Sequence, residues 1–198
     1  MLRRSTAVGI MVILASNSAR RKDILKEIIA EFTVIPSDAD ESVDKDIPVG
    51  ETVKLLALKK AKAVYETHKS DVVIGADTVV YFNGEIFGKP KDERDAKRML
   101  RALSGNTHEV YTGFAVVDGS GTDCEFVRTE VTFNDLSDEK ITEYVNTGIP
   151  MDKAGAYGIQ SGYDIVKSYS GSYTNIVGLP KERLTEVLKT RGVLLWQK

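Results

Sequence analysis

A chain of 198 residues with 42% hydrophobic and 28% charged side chains has the composition of a folded globular protein, not of a disordered or membrane-resident one. Its 27 basic and 29 acidic side chains leave a net charge of −2, which argues against a general affinity for nucleic acid, and no apolar run approaches the roughly 18 residues that cross a bilayer. The single cysteine, Cys124, rules out an internal disulfide and suits a reducing, cytoplasmic setting.

In chain order, Met1–Ile10 carries Arg3 and Arg4 but lacks the long apolar core and cleavage site of a secretory signal. It is expected to be a poorly ordered extension without function, ahead of a single domain spanning residues 11–198. Val12–Ala15 reads as a short strand that runs through Ser16-Asn17-Ser18 into a helix marked by Ile24, Leu25, Ile28, Ile29 and Phe32, with Ser18 as N-cap. Free N–H groups and the positive helix end make that junction an anion site. Arg20 and Arg21 oppose the dipole in the first turn, so they point to an anion between them; the alternative is a pair of solvated arginines.

Thr33–Pro36 reads as an edge strand, and the acidic loop Ser37–Pro48 holds Asp38, Asp40, Glu41, Asp44 and Asp46. Gly50–His68 is a helix whose stripe of Val53, Leu56, Ala57, Ala61 and Val64 is interrupted by Lys60. That lysine either snorkels outward or points its ammonium into a site. The stretch from Val72 is a buried strand with one carboxylate, Asp77, in its middle. An ionised carboxylate buried alone costs several kcal/mol or more. Asp77 is therefore protonated, paired, near a metal or at an opening onto a polar site, or it simply bonds a nearby backbone N–H.

Asn83-Gly84 spells a hairpin turn, and Gly88-Lys89-Pro90 follows. Asp92 opens a helix that stops at Gly105, and His108–Asp118 and Cys124–Asn134 alternate as antiparallel strands joined at residues 119–121. Ser137 caps a short helix ending near Gly148. Residues 151–162 form a glycine-dense loop of the kind that binds something. A strand near Asp164–Tyr169, an unassigned segment Thr174–Pro180 and a helix Lys181–Thr190 complete the chain. The pattern is an α/β domain with a mixed sheet and two lobes. Basic groups at a helix start suit a polyphosphate, and carboxylates suit its divalent metal. No P-loop or dinucleotide fingerprint is present.

Seven segments, in order, carry a resemblance: Leu14-Ala15-Ser16-Asn17-Ser18-Ala19-Arg20-Arg21, Leu56-Ala57-Leu58-Lys59-Lys60-Ala61, Gly75-Ala76-Asp77-Thr78-Val79-Val80, Gly88-Lys89-Pro90, Ser104-Gly105 with His108 and Thr112-Gly113, Asp152–Gln160, and Asn175–Pro180. The sequence resembles the Maf family of nucleoside triphosphate pyrophosphatases over nearly its whole length. The resemblance implies hydrolysis between the α and β phosphates, dependence on Mg²⁺ or Mn²⁺, and commonly a homodimer. It also implies the fold of the inosine-triphosphate pyrophosphatases, a long twisted mixed β-sheet flanked by helices with a cleft between two lobes.

By position it places function on Ser16, Arg20, Arg21, Glu41, Lys60, Asp77, Lys89 and Gln160, with Arg20, Thr78 and Gln160 selecting the nucleobase. Asp77 is expected as general base and metal ligand and Glu41 as metal ligand; the two roles can be exchanged. Arg20, Arg21, Lys60 and Lys89 would neutralise the triphosphate. The Gly-Ile-Gln ending of the loop resembles the branch acting on dTTP and UTP, since an amide pairs with the O4/N3–H edge of a pyrimidine. Inosine, xanthosine or 7-methyl-GTP pyrophosphatase activity, and non-catalytic regulation of septum formation, are the competing readings. No nucleic-acid or membrane partner is expected.

Overall fold

A computed structural model describes residues 10–43 and 46–193 of the chain. The expectation for the N-terminal extension therefore falls outside the described residues except at Ile10, as does Asp44 of the acidic loop. Strand β1 (Val12–Leu14) turns into helix α1 (Ala19–Lys26), where the Ser18 side chain accepts from Arg21 N as the expected N-cap. Strand β2 (Thr33–Val34) lies parallel to β1 on one side, and helix α2 (Val49–Tyr65) crosses over to β3 (Val72–Phe82), parallel to β1 on the other. Asn83 and Gly84, with φ of 48° and 81°, make the two-residue turn into β4 (Glu85–Phe87).

Helix α3 (Glu93–Leu103) starts on an Asp92 cap and stops before Gly105, whose φ of 68° no helix continues through. Strands β5 (Thr107–Asp118) and β6 (Gly121–Phe133) pair along their lengths. Strand β6 begins at Gly121, earlier than the alternation at Cys124 indicates, because Asp118 pairs directly with Gly121 across a two-residue link. After α4 (Asp138–Asn146), two short 3₁₀ turns, Ile149–Asp152 and Ala154–Ala156, shape the glycine-dense loop. Strand β7 (Val166–Ser170), helix α5 (Tyr173–Val177) and helix α6 (Lys181–Thr190) end the fold. Helix α5 lies in the segment the sequence left unassigned; at five residues it is too short to show a periodicity, and only its Ser172 cap announces it.

The result is a seven-stranded mixed sheet in the order β2-β1-β3-β5-β6-β7, with β4 also on β3. Among the described residues, no helix is long and apolar enough to cross a membrane. One face of the sheet carries two cores. Val12, Leu14, Ile74 and Phe114 pack under α1 and α6, while Val80, Val110, Val131 and Phe133 pack with α3 and α4. Between these cores the same face turns polar at Thr78 and Thr112, whose hydroxyls lie 3.0 Å apart. That polar row is the boundary of the two lobes.

The other face is covered by α2, held closely by glycine. A methyl group on Gly75 would stand 2.3 Å from the Ala57 carbonyl oxygen, and one on Gly113 would stand 2.3 Å from that of Val53. The helix backbone therefore rests almost directly on the sheet.

The edge of β3 explains how a strand interior becomes a site. Strand β1 pairs with it only as far as Ile74, and β4 joins the same edge from Val80 onward. The opposite edge is paired with β5 from Val73 to Tyr81. Residues 75–79 thus face a gap in the sheet, and Asp77 is at its centre.

Candidate active site

The gap opens into a cleft of about 870 Å³. Its walls include every site residue expected from sequence: Ser16, Arg20, Arg21, Glu41, Lys60, Asp77, Thr78, Lys89 and Gln160. They come from the β1–α1 turn, the acidic loop, α2, β3, the segment after β4 and the glycine-dense loop.

Lys60 is the hub. Its ammonium donates to Asp77 Oδ1 at 2.6 Å and pairs with Glu41 Oε1 at 2.9 Å. The Lys60 and Asp77 side chains are 14% and 12% exposed, whereas that of Glu41 is 65% exposed. The apolar stripe of α2 is broken here because the lysine head reaches the cleft instead of snorkelling to bulk water. The hydrogen bond from Lys60 holds the Glu41 carboxyl below its usual range, outweighing the opposing effect of burial. Both carboxylates converge on one cation, and neighbouring Lys59 pins the acidic loop by donating to the Ser42 carbonyl at 2.6 Å.

The expected divalent metal can be tested against this donor set. Among the described residues there is no group of three or more His, Cys, Asp or Glu side chains able to hold a metal by themselves. Two carboxylates directed at a shared cation nevertheless fit Mg²⁺ or Mn²⁺. Mg²⁺ usually takes one or two carboxylates and completes its shell with water and substrate phosphate. Glu41 and Asp77 are the residues that would hold it.

The arginines divide. Arg21 donates from Nε to the Gly178 carbonyl at 2.8 Å, from Nη1 to Ser16 Oγ at 3.2 Å and from Nη2 to Thr78 Oγ1 at 3.0 Å. Burial lowers its pKa, and the nearby Asp77 charge works against that fall. It ties the β1–α1 turn to β3 and to the C-terminal end of α5. Thr78, expected to select the base, has its hydroxyl between Arg21 and Thr112. Arg20 reaches across the cleft mouth, donating to Asp152 Oδ2 at 2.8 Å and to the Asp152 carbonyl at 3.2 Å. Lys89 and Gln160 are exposed on the cleft wall.

Sequence reasoning did not assign roles to Asp152, Lys153 or Tyr157, which also line the cleft. All three lie within the matched segment ending in Gln160, so the signal was present without a chemical reason for each residue. The Asp152 carboxyl, raised by burial, is brought below its usual range by hydrogen bonds from Lys153 and Arg20.

Comparison with known proteins gives one consistent result. The family model described as Maf-like protein matches residues 11–191. A dTTP/UTP pyrophosphatase of Clostridium novyi (strain NT) is 50% identical over 191 residues, covering 93% of this chain and 99% of that protein. A dTTP/UTP pyrophosphatase of Bacillus cytotoxicus is 47% identical over 178 residues, covering 89% and 93% respectively. Among solved structures, the Staphylococcus aureus Ham1 protein superposes with a TM-score of 0.53 at 16% identity, covering 91% of this chain and 99% of its own, a likeness of fold.

Proposed function

The chain belongs to the Maf-like protein family, and from that premise we propose that it is a cytoplasmic nucleoside triphosphate pyrophosphatase. It cleaves dTTP and UTP between the α and β phosphates to the monophosphate and pyrophosphate. The observation that carries the reading is the Glu41–Lys60–Asp77 cluster set in the gap of β3, facing a helix start and a loop that ends in Gln160. Asp77 is the general base: fixed to a strand paired along its other edge, it accepts the proton of the attacking water. Lys60 keeps that carboxylate aimed and adds positive charge beside the phosphates. Arg20, Arg21, Lys60 and Lys89, with the α1 N-terminus, neutralise the triphosphate that Ser16 helps to bind, which is most of what phosphoryl transfer asks of a protein. When bound at Glu41 and Asp77, a divalent ion supplies Lewis-acid neutralisation of the phosphate oxygens.

Gln160 reads the pyrimidine edge with its amide. The homodimer expected from the resemblance is part of the proposal, supported by Ile86 and Phe126, exposed large apolar side chains. Sedimentation equilibrium checks it.

The test is pyrophosphate release across dTTP, UTP, CTP, ITP and 7-methyl-GTP with Mg²⁺, using wild type and Asp77→Asn. The expected result is preference for dTTP and UTP and a fall of roughly 10²- to 10⁴-fold in kcat for the variant, the usual contribution of a general base. Faster cleavage of ITP or 7-methyl-GTP would reject the substrate assignment. Equal rates in the two proteins, or none in either, would reject the mechanism and favour a non-catalytic nucleotide-binding regulator.

A further inference from the structure

The site just described has no use for His108, yet this residue is an expensive one to bury. It stands on central strand β5, 1% exposed. Its Nε2 lies 2.9 Å from the Tyr157 hydroxyl, and its Nδ1 has no hydrogen-bond partner among the described residues. The ring meets Phe133 and Tyr157 edge to face, with centroids 4.9 and 5.3 Å apart. Volume and aromatic contact alone would be met by phenylalanine without an orphaned ring nitrogen, whose burial costs about 1–3 kcal/mol. What histidine adds is one polar tether, and that tether goes to the loop.

The loop needs tethering. Ala156 is fully buried with a left-handed φ of 59°, next to Gly155 at 68°. A non-glycine residue in that region persists only where its surroundings over-determine it. Four bonds do so: Ala156 N–H to the Lys153 carbonyl at 3.1 Å, Gly155 N–H to the Gly88 carbonyl at 3.0 Å, Gly158 N–H to the Tyr144 hydroxyl at 3.1 Å, and His108 with Tyr157. The Gly88 bond joins the loop to the residue before Lys89, and Tyr157 is three positions before Gln160. His108 is the one of these anchors that starts from the sheet itself, near the start of β5, where it pairs with Val131 of β6.

We propose that His108 is a positioning residue: through the Tyr157 hydroxyl it fixes the loop so that Gln160 meets the nucleobase in register with the phosphate-binding end of the cleft. This deepens the pyrophosphatase reading and rests on it for its kinetic test.

The variants are Tyr157→Phe, which deletes one oxygen, His108→Phe, and His108→Gln, whose amide can stand in for the Nε2 position. For Tyr157→Phe and His108→Phe the expected result is a KM for dTTP raised about tenfold, the equivalent of one hydrogen bond, with kcat within about twofold. The dTTP:CTP preference falls by a similar factor. His108→Gln recovers most of both, and the double variant His108→Phe/Tyr157→Phe is no worse than either single one. Amide hydrogen exchange at residues 157–160 is expected to quicken in the two Phe variants and return toward wild type in His108→Gln. A lowered melting temperature with unchanged KM, preference and loop exchange would reduce His108 to core packing and overturn the proposal. Should wild type cleave no triphosphate, the pyrophosphatase reading fails, and the exchange result alone decides whether His108 holds the loop.

Discussion

At the scale of single residues, burial separates groups that carry chemistry from groups that hold position. Lys60 and Asp77 are nearly buried but paired with each other, and the pairing offsets the cost of burying either group. His108 is buried with only a neutral partner, and burial pushes its pKa from 6.5 down to about 4. In the unfolded chain the same imidazole takes up its proton near 6.5. The unfolded state therefore binds more protons as the pH falls from about 6.5 to about 4, and stability is lost across that window and fully present above it. A shift of this size corresponds to about 3 kcal/mol. Urea unfolding of wild type and His108→Gln at a series of pH values is expected to show the wild type losing that much more than the variant between pH 6.5 and 4. The carboxylates and His68 are common to both proteins and cancel in the comparison. Parallel curves would mean that the native imidazole is already solvated.

At the scale of elements, the site depends on how closely α2 lies on the sheet. Lys60 reaches Asp77 because Gly75 and Gly113 present no side chain to the helix backbone above them. The sequence displayed both glycines and the helical stripe, but nothing in either states that they touch. Gly113 is the cross-strand neighbour of Asp77, a pairing 36 residues distant that only the β3–β5 register creates. Gly75→Ala would place its methyl 2.3 Å from the Ala57 carbonyl oxygen and 2.7 Å from Ala61 N, atoms that can yield only if α2 moves. Overpacking of this kind costs about 1–3 kcal/mol. For a chain of this length that corresponds to a fall of roughly 2–12 °C in Tm. Turnover should suffer more than stability, since displacing a catalytic group by about 1 Å can cost about 10²-fold. Gly119→Ala, which meets nothing within 4 Å, is the matched control and should leave both unchanged. Calorimetry and pyrophosphate release on the two variants check this; full activity in Gly75→Ala would show that α2 has slack.

At the scale of the whole molecule, the sequence disclosed most elements, because capping residues, the Asn83-Gly84 turn and apolar periodicity are local signals. Ser18, Asp92 and Ser137 all cap as their positions imply. The residues around the cleft were legible through their motif segments, but their partners were not. Arg21 stood out as a cation at a helix start, yet its three bonds go to Ser16, Thr78 and Gly178, contacts up to 157 residues apart in sequence. Nor does any local pattern reveal that β1 and β4 leave residues 75–79 uncovered, since that gap is a property of how the strands are ordered.

The same nonlocal assembly creates the Arg20–Asp152 pair, a link from α1 to the wall opposite. With side chains 28% and 65% exposed, the pair is screened by water and contributes at most about 1 kcal/mol to folding. Its effect lies in placing Arg20. When a triphosphate enters, its anionic oxygens compete with Asp152 for the guanidinium, so Asp152 opposes binding by charge while presenting Arg20 at the mouth. Asp152→Asn keeps the side-chain shape and one of the two acceptor oxygens, which serve Arg20 and Lys153, but removes that charge. The variant should melt within about 4 °C of wild type. Its KM for dTTP should fall at low ionic strength, and the difference from wild type should shrink as salt screens the cleft over about 10 Å near 0.1 M. A KM that rises at every salt concentration would show that the carboxylate orients Arg20 more than it competes for it.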